Sequence, residues 1–162
     1  MVQTTPDGVL GAIRRWLNEQ GVAFRELHHE PTRTSEESAR VRGEELRVGG
    51  KALLVKVDDQ YRLFVLSAVL KLDSAAVRAK FAARKTRFAT PDELRELTGL
   101  VPGSVPPFGR PILPFDLYVD ASIAANQRIA FNAGTLTDSI IMSVDDYLRV
   151  ARPDVFSFAA EL

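Results

Sequence analysis

Lys51-Ala52-Leu53-Leu54-Val55-Lys56-Val57, then Asp58-Asp59-Gln60, then Tyr61-Arg62-Leu63-Phe64-Val65-Leu66-Ser67-Ala68-Val69, is the stretch on which the fold turns. Both outer runs are rich in Val, Leu and Phe, and a polar triplet separates them. That pattern reads as an antiparallel hairpin with strands at Lys51–Val57 and Tyr61–Val69. Upstream, the first helix runs from Pro6 to Glu19, with Thr5 as its cap, Pro6 at the first helical position and Gly21 beyond its end. Val9, Ile13, Trp16 and Leu17 share one face of it, which makes Trp16 a core anchor. Val22–Leu27 is a short strand, and Thr34-Ser35-Glu36-Glu37 has the hydroxyl-to-carboxylate spacing of a capping box opening a second helix.

Downstream of the hairpin, Asp73 or Ser74 opens a helix that ends near Phe81, and Arg87–Ala89 is a brief strand. Thr90-Pro91-Asp92-Glu93 is another capping box, for a helix reaching Thr98. Leu117–Asp120, Arg128–Phe131 and Ser139–Met142 read as strands, with a turn at Asn132-Ala133-Gly134. Ser143-Val144-Asp145-Asp146 caps a last helix that runs through Val150 and stops before Pro153. Hairpins interspersed with helices predict an α+β fold around a mixed, mostly antiparallel sheet flanked by helices. No repeat, low-complexity segment or linker interrupts the chain, so residues 1–162 read as a single domain.

Composition narrows the function classes. Twenty-one basic residues balance 21 acidic ones, which argues against a broad basic face for gripping nucleic acid while allowing contact with a short nucleic-acid end. The clusters Arg40, Arg42, Arg47, Lys51 and Arg84, Lys85, Arg87 read first as solvated surface. With no cysteine, disulfides and thiolate chemistry are excluded. The absence of a signal peptide and of any long apolar run predicts a cytoplasmic protein without a membrane span.

Catalytic groups are few. His28 and His29 are adjacent, so on a strand they point to opposite faces and make a poor metal site; no other ligand spacing appears, and neither metal nor cofactor is predicted. One stretch nevertheless has the marks of a binding loop: Leu97-Thr98-Gly99-Leu100-Val101-Pro102-Gly103-Ser104-Val105-Pro106-Pro107-Phe108-Gly109. Its prolines stiffen it and its glycines let another molecule approach the main chain, so its backbone N–H groups are candidate donors. Ser104 invites a nucleophile reading, but no partner base is evident. Phe108 is either a pocket wall or an anchor that packs the loop on the core. Lys51, after Gly49-Gly50, is either a strand-end lysine in water or a point charge aimed into a cleft. Thr34 and Ser35 are caps or ligands, and Asp145 and Asp146 fit a helix start.

Gly50-Lys51-Ala52-Leu53-Leu54-Val55-Lys56, Leu97-Thr98-Gly99, Gly103 through Gly109, Val119-Asp120 and Asn132-Ala133-Gly134 occur in the order seen in the YbaK family, and from about Val22 to Phe158 the chain resembles that family. Its members, also called prolyl-tRNA synthetase-associated domains, include free-standing deacylases and the editing insertion of bacterial prolyl-tRNA synthetases. The resemblance implies a curved YbaK-like sheet and trans-editing, the hydrolysis of the ester joining a wrong amino acid to the 3′ CCA end of a tRNA. An aminoacyl-tRNA synthetase is an additional implied partner. Lys51 would hold the terminal adenosine region. The loop Gly103, Ser104, Val105, Pro106, Pro107, with Phe108 and Gly109, would present its backbone to the aminoacyl end. The family's threonine or serine falls at Thr34 or Ser35, and Asn132 and Gly134 belong to the segment closing the amino-acid pocket.

Related deacylases are thought to position water with backbone groups and the substrate's own ribose hydroxyl, which suits a chain with so few acid–base side chains. The alternative is a non-catalytic YbaK-like module binding a tRNA 3′ end, a nucleotide or a synthetase. Ala52 stands where some alanine-specific members carry a polar residue, and Asn132–Ser139 lacks the histidine of the synthetase insertion. The resemblance therefore leaves the edited amino acid open.

Overall fold

The computed structural model describes residues 8–162, so the Thr5 cap and Pro6 start expected for the first helix lie outside the described residues. In chain order the elements are α1 (Gly8–Glu19), β1 (Phe24–His28), α2 (Ser35–Arg42), β2 (Gly50–Val57), β3 (Gln60–Ser67), β4 (Leu70–Leu72), α3 (Ser74–Phe81), β5 (Thr86–Phe88) and α4 (Pro91–Thr98). They continue with β6 (Leu117–Asp120), α5 (Ala121–Ala124), β7 (Arg128–Asn132), β8 (Asp138–Ser143), α6 (Val144–Ala151), β9 (Asp154–Phe156) and β10 (Ala159–Glu161). A single 3-10 turn, Leu46–Val48, precedes β2.

Local chemistry sets the helix starts. Thr34, Asp73, Thr90 and Ser143 each accept a backbone N–H of the first turn, and at Thr90 the Glu93 carboxylate returns the bond to complete the capping box. Such a cap contributes about 1 kcal/mol, enough to decide where an eight-residue helix begins. α2 and α4 end on glycines in the left-handed conformation, Gly43 and Gly99.

β2 and β3 pair antiparallel over their whole length, from Gly50↔Ser67 to Val57↔Gln60, as the apolar runs predict. They form the middle of a five-stranded sheet in the order β5-β2-β3-β6-β9, in which β6 and β9 run parallel to their neighbours. A second sheet, β1-β8-β7, is antiparallel throughout, and β10 pairs with β4. The class is the predicted one: α+β, mixed and mostly antiparallel. The elements missing from the sequence reading are β4, α5, β9, β10 and the 3-10 turn, all of three or four residues. Their positions come from tertiary partners: Asp120 caps α5 at Ser122 and also accepts the Phe158 N–H, tying the C-terminal segment to β6.

The two larger sheets meet where β7 crosses the start of β2. A parallel bridge joins Gly49 to Ala130, and a Cβ on Gly50 would stand 2.7 Å from the Ile129 side chain. The glycine pair thus admits protein. A Cβ at Gly50 would meet Ile129, and one at Gly49 would meet Ala68 and the Leu46 carbonyl. On one side of the five-stranded sheet lies the main core, with α1, the 105–117 segment and β7; Trp16 packs edge-on against Phe108, as a core anchor should. A smaller aromatic core of Phe64, Phe81, Tyr118, Phe156 and Phe158 fills the opposite side.

Candidate functional site

Three segments converge on one cavity of about 140 Å³: the 32–42 segment with α2, the start of β2 with the turn after β3, and the Gly103–Val105 loop against the end of β7. Each is held by identifiable bonds. The chain between β1 and α2 runs along the turn before β8, where His29 N–H donates to Thr137 O and Thr32 N–H to Leu136 O. Thr32 and Ser38 share a buried hydroxyl–hydroxyl bond of 2.7 Å, which fixes the start of α2 over the cavity. β2 is anchored on both edges, by β3 and β5.

The loop is pinned from two sides. Beneath it, the buried Tyr147 phenol donates to Pro107 O at 2.6 Å, and Phe108 packs edge-to-face with Trp16, Phe131 and Tyr147. Burial pushes the Tyr147 phenol well above its usual pKa, so it remains a donor. Beside it, the β7 turn makes two contacts: Asn132 Nδ2 donates to Gly103 O at 2.8 Å, and Gly134 N–H to Ser104 O at 2.9 Å. Gly103 has φ of +88°, a conformation that disfavours any side chain.

Lys51, Thr34, Ser35, Gly103, Val105 and Asn132 all line the cavity. Ser104, Pro106, Pro107, Phe108, Gly109 and Gly134 do not. Ser104 turns its hydroxyl back onto Val101, donating to the carbonyl at 2.8 Å and accepting the N–H at 3.2 Å. Its own N–H donates to Val101 O, so the expected row of available donors is reduced: among the described residues, the N–H groups of Gly103 and Val105 meet no protein acceptor. Phe108 is fully buried, and a Cβ on Gly109 would lie 2.4 Å from Phe115 O, so both serve packing. Gly134, also at φ +88°, rests on Val9.

Three cationic side chains line the cavity, Arg33, Arg42 and Lys51. Lys51 is half-buried, and among the described residues no carboxylate reaches ion-pair distance of its ammonium. Burial lowers its pKa, with Glu36 acting weakly the other way. Of the two sequence readings, a lysine aimed into a cleft is the one this geometry supports. Thr34 Oγ1 caps α2 through the Glu37 N–H at 3.1 Å while lining the cavity, so its two readings coexist.

Arg42, taken from sequence for solvated surface, is buried. Nε donates to Ser139 Oγ at 2.9 Å and Nη2 to Asn132 Oδ1 at 3.1 Å. Burial brings its pKa down to about 10, still well above neutrality. His29 joins the same cluster, with Nε2 2.8 Å from Ser139 Oγ and Nδ1 2.8 Å from Glu30 O. A histidine thus meets β8 from outside the Asn132–Ser139 segment that lacks one, while His28 turns instead to Asp138. Neither contact was readable from spacing, since the partners lie 97 and 110 residues away. The sequence signal was a pair of small polar residues, Asn132 and Ser139, next to apolar runs on their strands.

The arrangement can hold an anionic or strongly polar group at Lys51 and offer main-chain donors opposite it. Comparison with known proteins adds independent findings. The family profile of the aminoacyl-tRNA editing domain matches residues 29–150. Over 148 residues, 88% of this chain and 87% of the relative, the sequence is 36% identical to the multifunctional Ser/Thr-tRNA deacylase ProXp-y of Escherichia coli (strain K12). It is 31% identical over 83 residues to the proline–tRNA ligase of Macrococcus caseolyticus (strain JCSC5402), a match covering 51% of this chain and 14% of the ligase. Among solved structures, a proposed trans-editing enzyme for prolyl-tRNA synthetase superposes with a TM-score of 0.80 and 25% identity, covering 98% of this chain and 99% of that one.

Proposed function

This chain belongs to the aminoacyl-tRNA editing domain family, and from that premise we propose that residues 1–162 form a single editing domain that removes a wrongly attached amino acid from a tRNA. The observation that carries the reading is the pairing, across one cavity, of an ammonium and N–H groups that meet no partner among the described residues: Lys51, without a carboxylate, and Gly103 and Val105, without an acceptor. A ligand suited to this pairing has a polar, electron-rich group for the cation and a carbonyl for the donors. The 3′ end of an aminoacyl-tRNA has both.

In this proposal Lys51 holds the terminal nucleotide, and the ester carbonyl lies against the loop. Water adds to that carbonyl, and the developing oxyanion is met by the Gly103 and Val105 N–H groups. Removing one preorganised donor of this kind typically costs about 3 kcal/mol of barrier. Collapse of the tetrahedral adduct breaks the bond to the ribose oxygen. The proton of the attacking water passes, by way of the neighbouring ribose hydroxyl, to that leaving oxygen, giving free amino acid and uncharged tRNA. No side-chain nucleophile takes part. Ser104 holds the loop's shape, and Phe108 and Tyr147 seat it. The hydroxyl-rich lining of Thr32, Thr34, Ser35 and Ser38 suits a small polar amino acid, in keeping with the name of the E. coli relative.

A panel of mischarged tRNAs, incubated with the protein and assayed for release of each amino acid, tests the proposal. Release of serine or threonine at catalytic enzyme is the expected result. Binding without release at stoichiometric enzyme would overturn it in favour of a non-catalytic tRNA-end binder. Labelling of Ser104 by a serine-reactive phosphonate would overturn the mechanism.

A further inference from the structure

Among the described residues, Arg42 is a buried cation that pairs with no carboxylate and reaches only neutral oxygens, including a 3.5 Å approach to Ala130 O. Its nearest acidic influence, Glu44, forms its own bridge with Arg128. Placing an uncompensated charge in the wall of a cavity is costly, and folding alone gives no reason for it. The geometry of its neighbour supplies one.

A carboxamide has two orientations that differ only in exchanging oxygen and nitrogen. At Asn132 only one of them works, because the side chain lies between Arg42 Nη2 at 3.1 Å and Gly103 O at 2.8 Å. The guanidinium has donors and no acceptor, so Oδ1 must face it; Nδ2 is then turned toward the loop, where it can donate to the Gly103 carbonyl. The opposite orientation would set two donors and two acceptors face to face. Ser139 Oγ, 3.2 Å from Oδ1, lies on the same side as the arginine.

We infer that Arg42 is a positioning residue: it fixes the Asn132 carboxamide, and through it the Gly103 carbonyl and the loop that carries the Gly103 and Val105 N–H groups. The coupling ends at a peptide already bound at the next residue, where Ser104 N–H donates to Val101 O and Ser104 O accepts from Gly134 N–H. Arg42 sits at the C-terminal end of α2, whose N-terminal end contributes Thr34 and Ser35 to the same cavity. The helix thereby links the two walls.

Two variants separate this role from general support of the fold. Arg42→Lys keeps the charge and loses the fork, whereas Asn132→Asp keeps a partner for Arg42 and replaces the donor facing Gly103 O with an acceptor. Both are compared with the unmodified protein by circular dichroism, hydrogen exchange at the Ser104 and Gly134 amides, and deacylation kinetics. Exchange at those two amides should accelerate while the β2–β3 hairpin remains protected. kcat should fall roughly ten- to a hundredfold with KM nearly unchanged, the signature of a misplaced donor and not of a lost substrate contact. Unchanged exchange with unchanged kcat in folded variants would overturn the inference, as would a change confined to KM, which would put Arg42 on the substrate. Where Arg42→Lys does not fold, Asn132→Asp alone decides. The kinetic arm rests on the deacylase reading and the exchange arm does not: faster exchange in a protein whose parent hydrolyses no ester would support the coupling and overturn the activity.

Discussion

The two ends of strand β2 treat charge in opposite ways. At the hairpin end, Lys56 lies across from Arg87 on β5 and Tyr61 on β3. Arg87 grips Glu93 through both guanidinium arms at 2.7 and 2.8 Å, the Tyr61 phenol donates to the same carboxylate, and the Thr90 N–H completes the set. Each partner shifts as pairing requires: the Glu93 pKa is held far below the ordinary carboxylate range, first by Arg87, and Arg87 is raised above its usual value, first by Glu93. At the other end, Lys51 is half-buried with no such partner among the described residues, and burial lowers its pKa. A charge satisfied internally holds the fold, whereas a charge left open at a cavity is available to a ligand. Residue type alone cannot separate the two cases.

The contrast can be broken by substitution at either end. The largest effect is expected from Lys51→Ala. kcat/KM for a mischarged tRNA should drop by about a hundredfold or more, roughly 2.7 kcal/mol of transition-state stabilisation, while the melting temperature holds or rises because an unpaired, half-buried cation is removed. A fully active Lys51→Ala protein would remove that residue from the site.

A smaller effect comes from pH. Burial has lowered the pKa of Lys51, so its charge is lost at a lower pH than that of an exposed lysine. Deacylation corrected for spontaneous ester hydrolysis should therefore weaken on the alkaline side, through KM, before ordinary lysines titrate. A KM that stays flat across that range would show that the ammonium does not hold the substrate.

Least affected in activity is Glu93→Gln, which should leave kcat/KM within about twofold because distant sites act independently. It should nonetheless lower the melting temperature. The folded-state pKa of Glu93 is depressed, so its contribution to stability is full above the ordinary carboxylate range and declines as pH falls toward the folded value. In Glu93→Gln this part of the acid-side slope should vanish; melting curves recorded from neutral to acid pH read it directly.

Much of the fold was legible because its signals are local. Thr34, Thr90 and Ser143 announce helix starts through chemistry confined to one turn, and the β2–β3 hairpin declares itself by two apolar runs around a polar turn. β9 and β10 did not, since three residues carry no period and exist as strands only because β6 and β4 are there to pair with them. The site divides along the same line. Lys51, Thr34 and the loop stand out by residue type and spacing, and the sequence brings them to one cavity. Arg42 looked like surface, because what makes it interior is a serine and an asparagine about a hundred positions on; His29 read only as a poor metal ligand, and its bond to Ser139 spans a similar separation. For Ser104 and Phe108, composition marked a stiff loop but could not say which way each side chain turns.

Gly50 belongs to the core and to the cavity wall. Its missing side chain is the socket for Ile129, and it stands one residue before Lys51 on β2 as Ile129 stands three before Asn132 on β7. A Cβ added there would force the Ile129 side chain to shift, at the point where β7 packs on β2 between the cation on one strand and the carboxamide on the other. Gly50 thus borders the cavity on one side and seats Ile129 on the other, so this position answers to the chemistry and to the core at once.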